Sequence, residues 1–185
     1  ANPKDIAAKL YATVTTRIPQ SFGFHPVEDI QVLAPMNRGG LGVQAINLEL
    51  QRLLNPTNEP RVQKFGTTYA PGDKVLQRVN NYDKEVFNGE IGRVTRVDAA
   101  NRYVTVAFED QDVSYDAQDI DQLQLAYAMT IHKSQGSEYP CAVIVMHSTH
   151  YIMLRRNLLY TALTRAEKLA VIIGNSQGVM RAAAN

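Results

Sequence analysis

Residues 127–140 read Tyr-Ala-Met-Thr-Ile-His-Lys-Ser-Gln-Gly-Ser-Glu-Tyr-Pro, and an apolar run, 141–146, follows at once. A strand-like segment, 127–131, breaks into a polar turn, and a second strand leaves it. The turn carries Lys133, Ser134 and Gln135, which suit phosphate, a permissive backbone position at Gly136, and a carboxylate at Glu138. Nucleotide and polynucleotide sites sit at strand ends of α/β folds in this way. Composition alone leaves a solvated connection as the alternative.

A second segment bears on the choice. Residues 155–168 read Arg-Arg-Asn-Leu-Leu-Tyr-Thr-Ala-Leu-Thr-Arg-Ala-Glu-Lys. Leu158, Leu159, Ala162, Leu163 and Ala166 recur at three-to-four spacing, which predicts a helix with one apolar face. Arg165 falls near its C-terminal end, just before a strand expected over 169–173. An arginine there also complements the helix dipole.

The rest of the chain divides by period and by charge. Residues 4–17 and 41–54 have helical periodicity, 29–34 reads as a short strand, and Asn55-Pro56 stops the second helix. After Pro71-Gly72 the period becomes two: 74–79, 92–98 and 103–108 alternate and are rich in Val, Tyr, Phe and Thr. Residues 66–125 hold six Lys and Arg against eleven Asp and Glu, although the whole chain has a net charge of +1. Such a shift marks an inserted domain. The buried-strand pattern returns at 125–131, 142–147 and 169–173. The expected division is therefore 1–60 with 124–185 as a discontinuous α/β domain, and 61–123 as a small barrel of short strands. The fold class expected is α/β, a mostly parallel sheet with helices on both faces.

At 185 residues, 45% hydrophobic and 20% charged, the chain has the composition of a soluble globular protein. Its one cysteine, Cys141, lies in an apolar run, so no disulfide framework exists and a reducing compartment, the cytoplasm, is expected. No apolar run is long enough to cross a membrane. His132 has no Cys or His partner at ligand spacing, so no metal site is expected. No Gly-x-Ser-x-Gly turn supports a serine hydrolase.

Thr130 to Pro140 resembles motif V of superfamily 1 helicases, and Leu159 to Ala166 resembles motif VI. Residues 31–47, Gln-Val-Leu-Ala-Pro-Met-Asn-Arg-Gly-Gly-Leu-Gly-Val-Gln-Ala-Ile-Asn, resemble motif IV in RecD-like helicases. The wording Ser-Gln-Gly-Ser-Glu and the stretch Ala-Pro-Met-x-Arg-Gly resemble the RecD-like branch rather than the Rep/UvrD branch. The resemblance implies a C-terminal, second RecA-like motor domain with an SH3-like barrel insert. It implies that Arg165 and Arg38 reach the γ-phosphate of ATP, and that Gly136 and Glu138 face the nucleotide. It implies that Thr130, His132, Lys133, Ser134 and Gln135 face single-stranded DNA, joined by Tyr82, Lys84 and Phe87 of the barrel. Translocation would run 5′→3′.

No Gly-x-x-x-x-Gly-Lys-[Ser/Thr] occurs, nor an Asp-Glu motif for magnesium after a strand. By resemblance, ATP and Mg2+ are held mainly by a first RecA-like domain, and other recombination or repair subunits are possible partners. This chain is expected to be the second half of a longer polypeptide. Two alternatives remain at this level: a non-catalytic nucleic-acid-binding or scaffold module on a RecA-like core, and a helicase-like segment of a conjugative relaxase.

Overall fold

The structure is a computed structural model that describes residues 2–56, 59–150 and 154–184. Helix α1 (Pro3–Ala12) starts where the Asn2 side chain accepts from the Lys4 N–H at 2.9 Å. Helical backbone does not stop at residue 17 as expected. It widens into a π-helical stretch, Thr13–Arg17, and continues as α2 (Ile18–Phe22) to Gly23 at φ 73°. Pro19 explains the widening. It lacks an N–H, its ring crowds the carbonyl four residues back, and the preceding turn opens to i→i+5 bonding. Strand β1 (Ile30–Ala34) is buried throughout, and α3 (Val43–Leu54) buries Val43, Ile46, Asn47 and Leu50.

The next strands are short. β2 (Val62–Lys64) and β3 (Thr67–Tyr69) form a hairpin that the sequence reading passed over. β4 (Lys74–Gln77), β5 (Ile91–Asp98), β6 (Tyr103–Ala107), β7 (Asp112–Tyr115) and β8 (Leu123–Leu125) pair antiparallel in the order β7-β6-β5-β4-β8. Alternate residues of β6 and β7 are buried, with Val104, Val106, Val113 and Tyr115 inside. The alternation expected for 74–79 fails: Lys74–Gln77 is buried on both faces. The Tyr115 hydroxyl donates to Gln77 Oε1 at 2.6 Å, so this core holds a satisfied polar pair.

The α/β pattern resumes with β9 (Ala128–Thr130), β10 (Tyr139–Met146), α4 (Arg156–Leu163), β11 (Ala166–Gly174) and a final helix, α5 (Ser176–Ala184), which had not been expected. The sheet order is β11-β10-β1-β9, and every pairing is parallel. β10 is the core strand, with all but one of its residues buried. Each fully buried Val or Ile there contributes about 1.5–3 kcal/mol relative to exposure. α1 packs on β11, α3 on β9, and α4 and α5 on β10. Asn47 of α3 closes the free edge of β9: its Nδ2 donates to the Ala128 carbonyl at 3.0 Å and its Oδ1 accepts from the Ala128 N–H at 2.7 Å. One amide side chain there does the pairing of a missing strand.

The chain divides into two compact units, residues 1–54 with 127–185, and 55–126. The apolar run expected as one strand over 125–131 is shared between them. Leu123–Leu125 pairs with β4, whereas Ala128–Thr130 pairs with β1. A continuous apolar run carries no mark of the point where it changes sheet.

Candidate functional site

β1 and β9 are parallel neighbours, so the turn after β1 and the loop after β9 leave from the same, C-terminal edge of the sheet. The Ile131 N–H donates to the Ala34 carbonyl at 3.0 Å there. The loop, residues 131–138, then travels to the opposite edge. It enters β10 where the Tyr139 N–H donates to the Arg165 carbonyl at 2.8 Å. α4 runs between the same two edges, from residue 155 to Arg165. Loop and helix therefore lie side by side.

The first half of the loop is a hydrogen-bonded turn. The Lys133 N–H donates to Thr130 Oγ1 at 3.2 Å, and the Ser134 N–H to the Thr130 and Ile131 carbonyls, each at 3.2 Å. Ser134 is fully buried, and its Oγ donates to the Ile131 carbonyl at 2.6 Å. The expectation that Ser134 faces a nucleic acid is therefore corrected: its hydroxyl is spent inside the turn. His132, Gln135, Gly136 and Glu138 are exposed, and Thr130 and Lys133 are half-buried. Gly136, at φ 82°, provides the left-handed residue that the turn needs.

Arg165 grips the second half. Its Nη1 donates to the Ser137 carbonyl at 2.9 Å and lies 3.5 Å from the Ser134 carbonyl. Its Nε donates to the Thr161 carbonyl at 3.2 Å and its Nη2 to Thr164 Oγ1 at 3.2 Å. The helix ends at Leu163 and β11 begins at Ala166, so Arg165 sits in the turn between them rather than inside a helix over 155–168. Thr164 caps α4 with its N–H on the Tyr160 and Ala162 carbonyls. Glu138, one residue beyond Ser137, is exposed near the same edge.

At the other end of α4 an open depression of about 360 Å³ is lined by Ile131, His132, Gln135, Arg155, Asn157, Leu158 and Thr161. Ile131 and Leu158 are its buried apolar floor, and the others surround it with an imidazole, two amides, a hydroxyl and a guanidinium. Arg155 is exposed, and its guanidinium makes no hydrogen bond or ion pair among the described residues. Its neighbour Arg156 is committed: Nε donates to the Ala183 carbonyl at 3.0 Å. Sequence reasoning missed Arg155 and Asn157, because an Arg-Arg doublet does not say which arginine is free.

The turn after β1 is tight. The Val43 and Gln44 N–H groups donate to the Met36 and Asn37 carbonyls, each at 3.0 Å, and Gly42 N–H to the Gly39 carbonyl at 3.0 Å. A Cβ on Gly42 would lie 2.3 Å from the Arg38 carbonyl oxygen. These loop carbonyls take the first donors of α3, so the helix N-terminus is not open to an anion there. Arg38 projects from this turn, exposed and without a hydrogen-bond partner among the described residues. The structure does not bring Arg38 and Arg165 together. β11 enters opposite Tyr139, while Leu33 lies opposite Ile144. At about 3.3 Å per residue the two arginines leave the sheet some 16 Å or more apart. Arg38 instead shares an edge with Thr130 and His132. Behind that edge His150 is buried and reaches the Leu41 backbone; burial, with the His147 charge, holds its pKa below the ordinary histidine value.

In the unit 55–126, Tyr82 and Phe87 form an edge-to-face pair, centroids 5.8 Å apart, with Tyr82 73% and Phe87 41% exposed. Lys84 does not join them as a free cation: Nζ donates to the Ser114 carbonyl at 2.9 Å and pairs with Asp119 at 3.3 Å. The expected role of Lys84 on a DNA strand is corrected on that ground.

The fold of the parallel sheet and its helices is RecA-like. It resembles a Pif1 helicase from Bacteroides solved with ADP-AlF3 and single-stranded DNA (TM-score 0.58, 20% identity, covering 99% of this chain and 47% of that one). It also resembles the Pif1 helicase of Candida albicans (TM-score 0.55, 18% identity, 96% and 54%). Residues 46–108 match the family model described as the ATP-dependent RecD-like DNA helicase SH3 domain, and 125–173 match that of the UvrD-like helicase C-terminal domain. Over these two stretches the chain is similar to RecD-like helicases. It is 41% identical to the ATP-dependent RecD2 DNA helicase of Deinococcus radiodurans, covering 84% of this chain and 21% of that protein. It is 30% identical to the RecBCD enzyme subunit RecD of Mycolicibacterium smegmatis, covering 85% and 27%. The chain thus spans about a quarter or less of these relatives' length.

Proposed function

We propose that this chain is the second motor half of an ATP-dependent DNA helicase. A first RecA-like domain would supply the phosphate loop and Mg2+, and the two halves would enclose ATP. The observation that carries this reading is α4 and the loop beside it. At one end Arg165 holds the Ser134 and Ser137 carbonyls, with Gly136 and Glu138 adjacent; at the other, Arg155 and Asn157 face His132 and Gln135. Arg165 is assigned to the γ-phosphate and Glu138 to the nucleotide. His132, Gln135, Thr130 and Lys133 are assigned to a single strand of DNA, together with Arg155 and, by its shared edge, Arg38. A change at one end then reaches the other through a helix about 12 Å long. The relatives' names support DNA as the substrate; a 5′→3′ direction and membership of a recombination complex rest on family resemblance.

Two outcomes test this. The 185-residue chain alone is expected to show no DNA-stimulated ATP hydrolysis above a mock preparation, because its sequence contains no phosphate loop. Turnover by the purified chain would sink the division of labour.

In the two-domain protein, Arg155→Ala and Arg38→Ala are each expected to weaken single-strand binding and lower the salt-dependence slope by about 0.7, the loss of one phosphate contact. His132→Ala should also weaken binding. Fluorescence anisotropy with an oligothymidylate across a salt series reads both. An unchanged affinity and slope for all three variants would remove the strand from this edge.

A further inference from the structure

Phe65 is at odds with its surroundings. It and Gly66 are the two central residues of the β2–β3 hairpin, between the paired Lys64 and Thr67, and both have positive φ, 51° and 79°. Such a turn accepts Asn-Gly or Gly-Gly at little cost, whereas a bulky aromatic in the left-handed region is strained. The ring does not offset that strain by burial: Phe65 is 86% exposed, the highest value among the large hydrophobic residues described.

The hairpin that presents the ring is braced on both sides. Lys64 Nζ donates to the Ala117 carbonyl and stands 5.4 Å from the Phe65 ring centroid. Arg102 Nη2 donates to the Gln63 carbonyl at 3.1 Å. Arg61 lies at the foot of the hairpin, exposed and ion-paired with Glu59 at 3.4 Å.

We propose that Phe65 is a base-stacking contact, its open face taking a nucleobase of a single strand. This rests on the reading of the protein as a DNA motor. The ring's setting favours a base over a protein partner. Gln63, Lys64, Gly66 and Thr67 flank it with polar or small groups, so the apolar rim that excludes water around an aromatic protein anchor is missing. Stacking needs only one flat face and nearby cations.

Asparagine tolerates the left-handed region, so Phe65→Asn removes the ring while relieving the turn. In the full-length protein this variant is expected to melt no lower than wild type. It is also expected to bind a fluorescein-labelled oligothymidylate at least about fivefold more weakly, with an unchanged salt slope. Phe65→Trp should retain binding, and a 2-aminopurine placed in the strand should be quenched by wild type and Phe65→Trp only. Wild-type affinity and quenching in Phe65→Asn would overturn the proposal while leaving the motor reading intact. So would a stably folded Phe65→Trp that fails to bind. Wild-type protein without affinity for any oligonucleotide would overturn both.

Discussion

The Arg165→Ala variant of the two-domain protein is expected to hydrolyse ATP about a hundredfold more slowly at saturating substrate, or worse. That is the scale for losing one preorganised donor to transition-state charge. Two effects act together. The variant loses the charge proposed to meet the γ-phosphoryl group, and it loses the guanidinium that joins the Thr161, Ser137 and Thr164 oxygens. Arg165→Lys should rescue little, because one ammonium cannot reproduce a planar fork that donates in three directions. Single-strand affinity should stay within a few fold of wild type. The turn that carries His132 is built from its own bonds to Thr130 and Ile131, none of which is made by Arg165. Intact turnover in Arg165→Ala would remove this turn from the nucleotide cleft.

The second large effect is on stability. A Cβ at Gly174 would stand 1.6 Å from the Met146 carbonyl oxygen and 2.6 Å from its carbon. These are backbone atoms of the core strand, paired with Gly174 in register, so no side chain can swing away. Gly174→Ala must spread the ends of β10 and β11. Overpacking costs about 1–3 kcal/mol even where side chains yield, so a loss at or above the upper end is expected. For a unit of this size that lowers the melting midpoint by about 10 °C. Differential scanning calorimetry reads it directly. A variant that melts with the wild type would show that the two strand ends separate at no cost.

The sheet was legible in the sequence because β1 and β10 are buried on both faces, and because β10 and β11 contain uninterrupted apolar runs. The loop at 131–138 was legible because so many polar residues between two such runs have few structural uses. What stayed hidden has physical causes. The short strands β2, β3, β7 and β8 have too few residues to establish a period. The helix over 155–168 was drawn too long because Ala166 continues the apolar spacing after the backbone has become extended. Ser134 and Lys84 look like ligands by residue type, yet the partners that occupy them, Ile131 and Ser114, are set by the folded chain. Arg38 and Arg165 each match a motif, but only the strand register places them on different edges of the sheet. Arg155 lies outside the motif, and solvent access to a guanidinium is not written in its neighbours' names.

β1 is flanked by β10 and β9, and both neighbours lie after the inserted unit in the chain. During synthesis from the N-terminus, β1 therefore leaves the ribosome with no strand to pair with. The 55–126 unit, contiguous in sequence, is complete before either neighbour emerges. Strand β1 must wait for both of its neighbours while a separate module closes behind it. A slow-folding or unstable module would lengthen that wait and leave Ile30–Ala34 exposed to aggregation, the usual hazard of unpaired apolar strands. Substitutions that loosen the hydrogen-bonded Gln77 and Tyr115 core should thus lower the yield of soluble protein before they alter any step of the motor cycle.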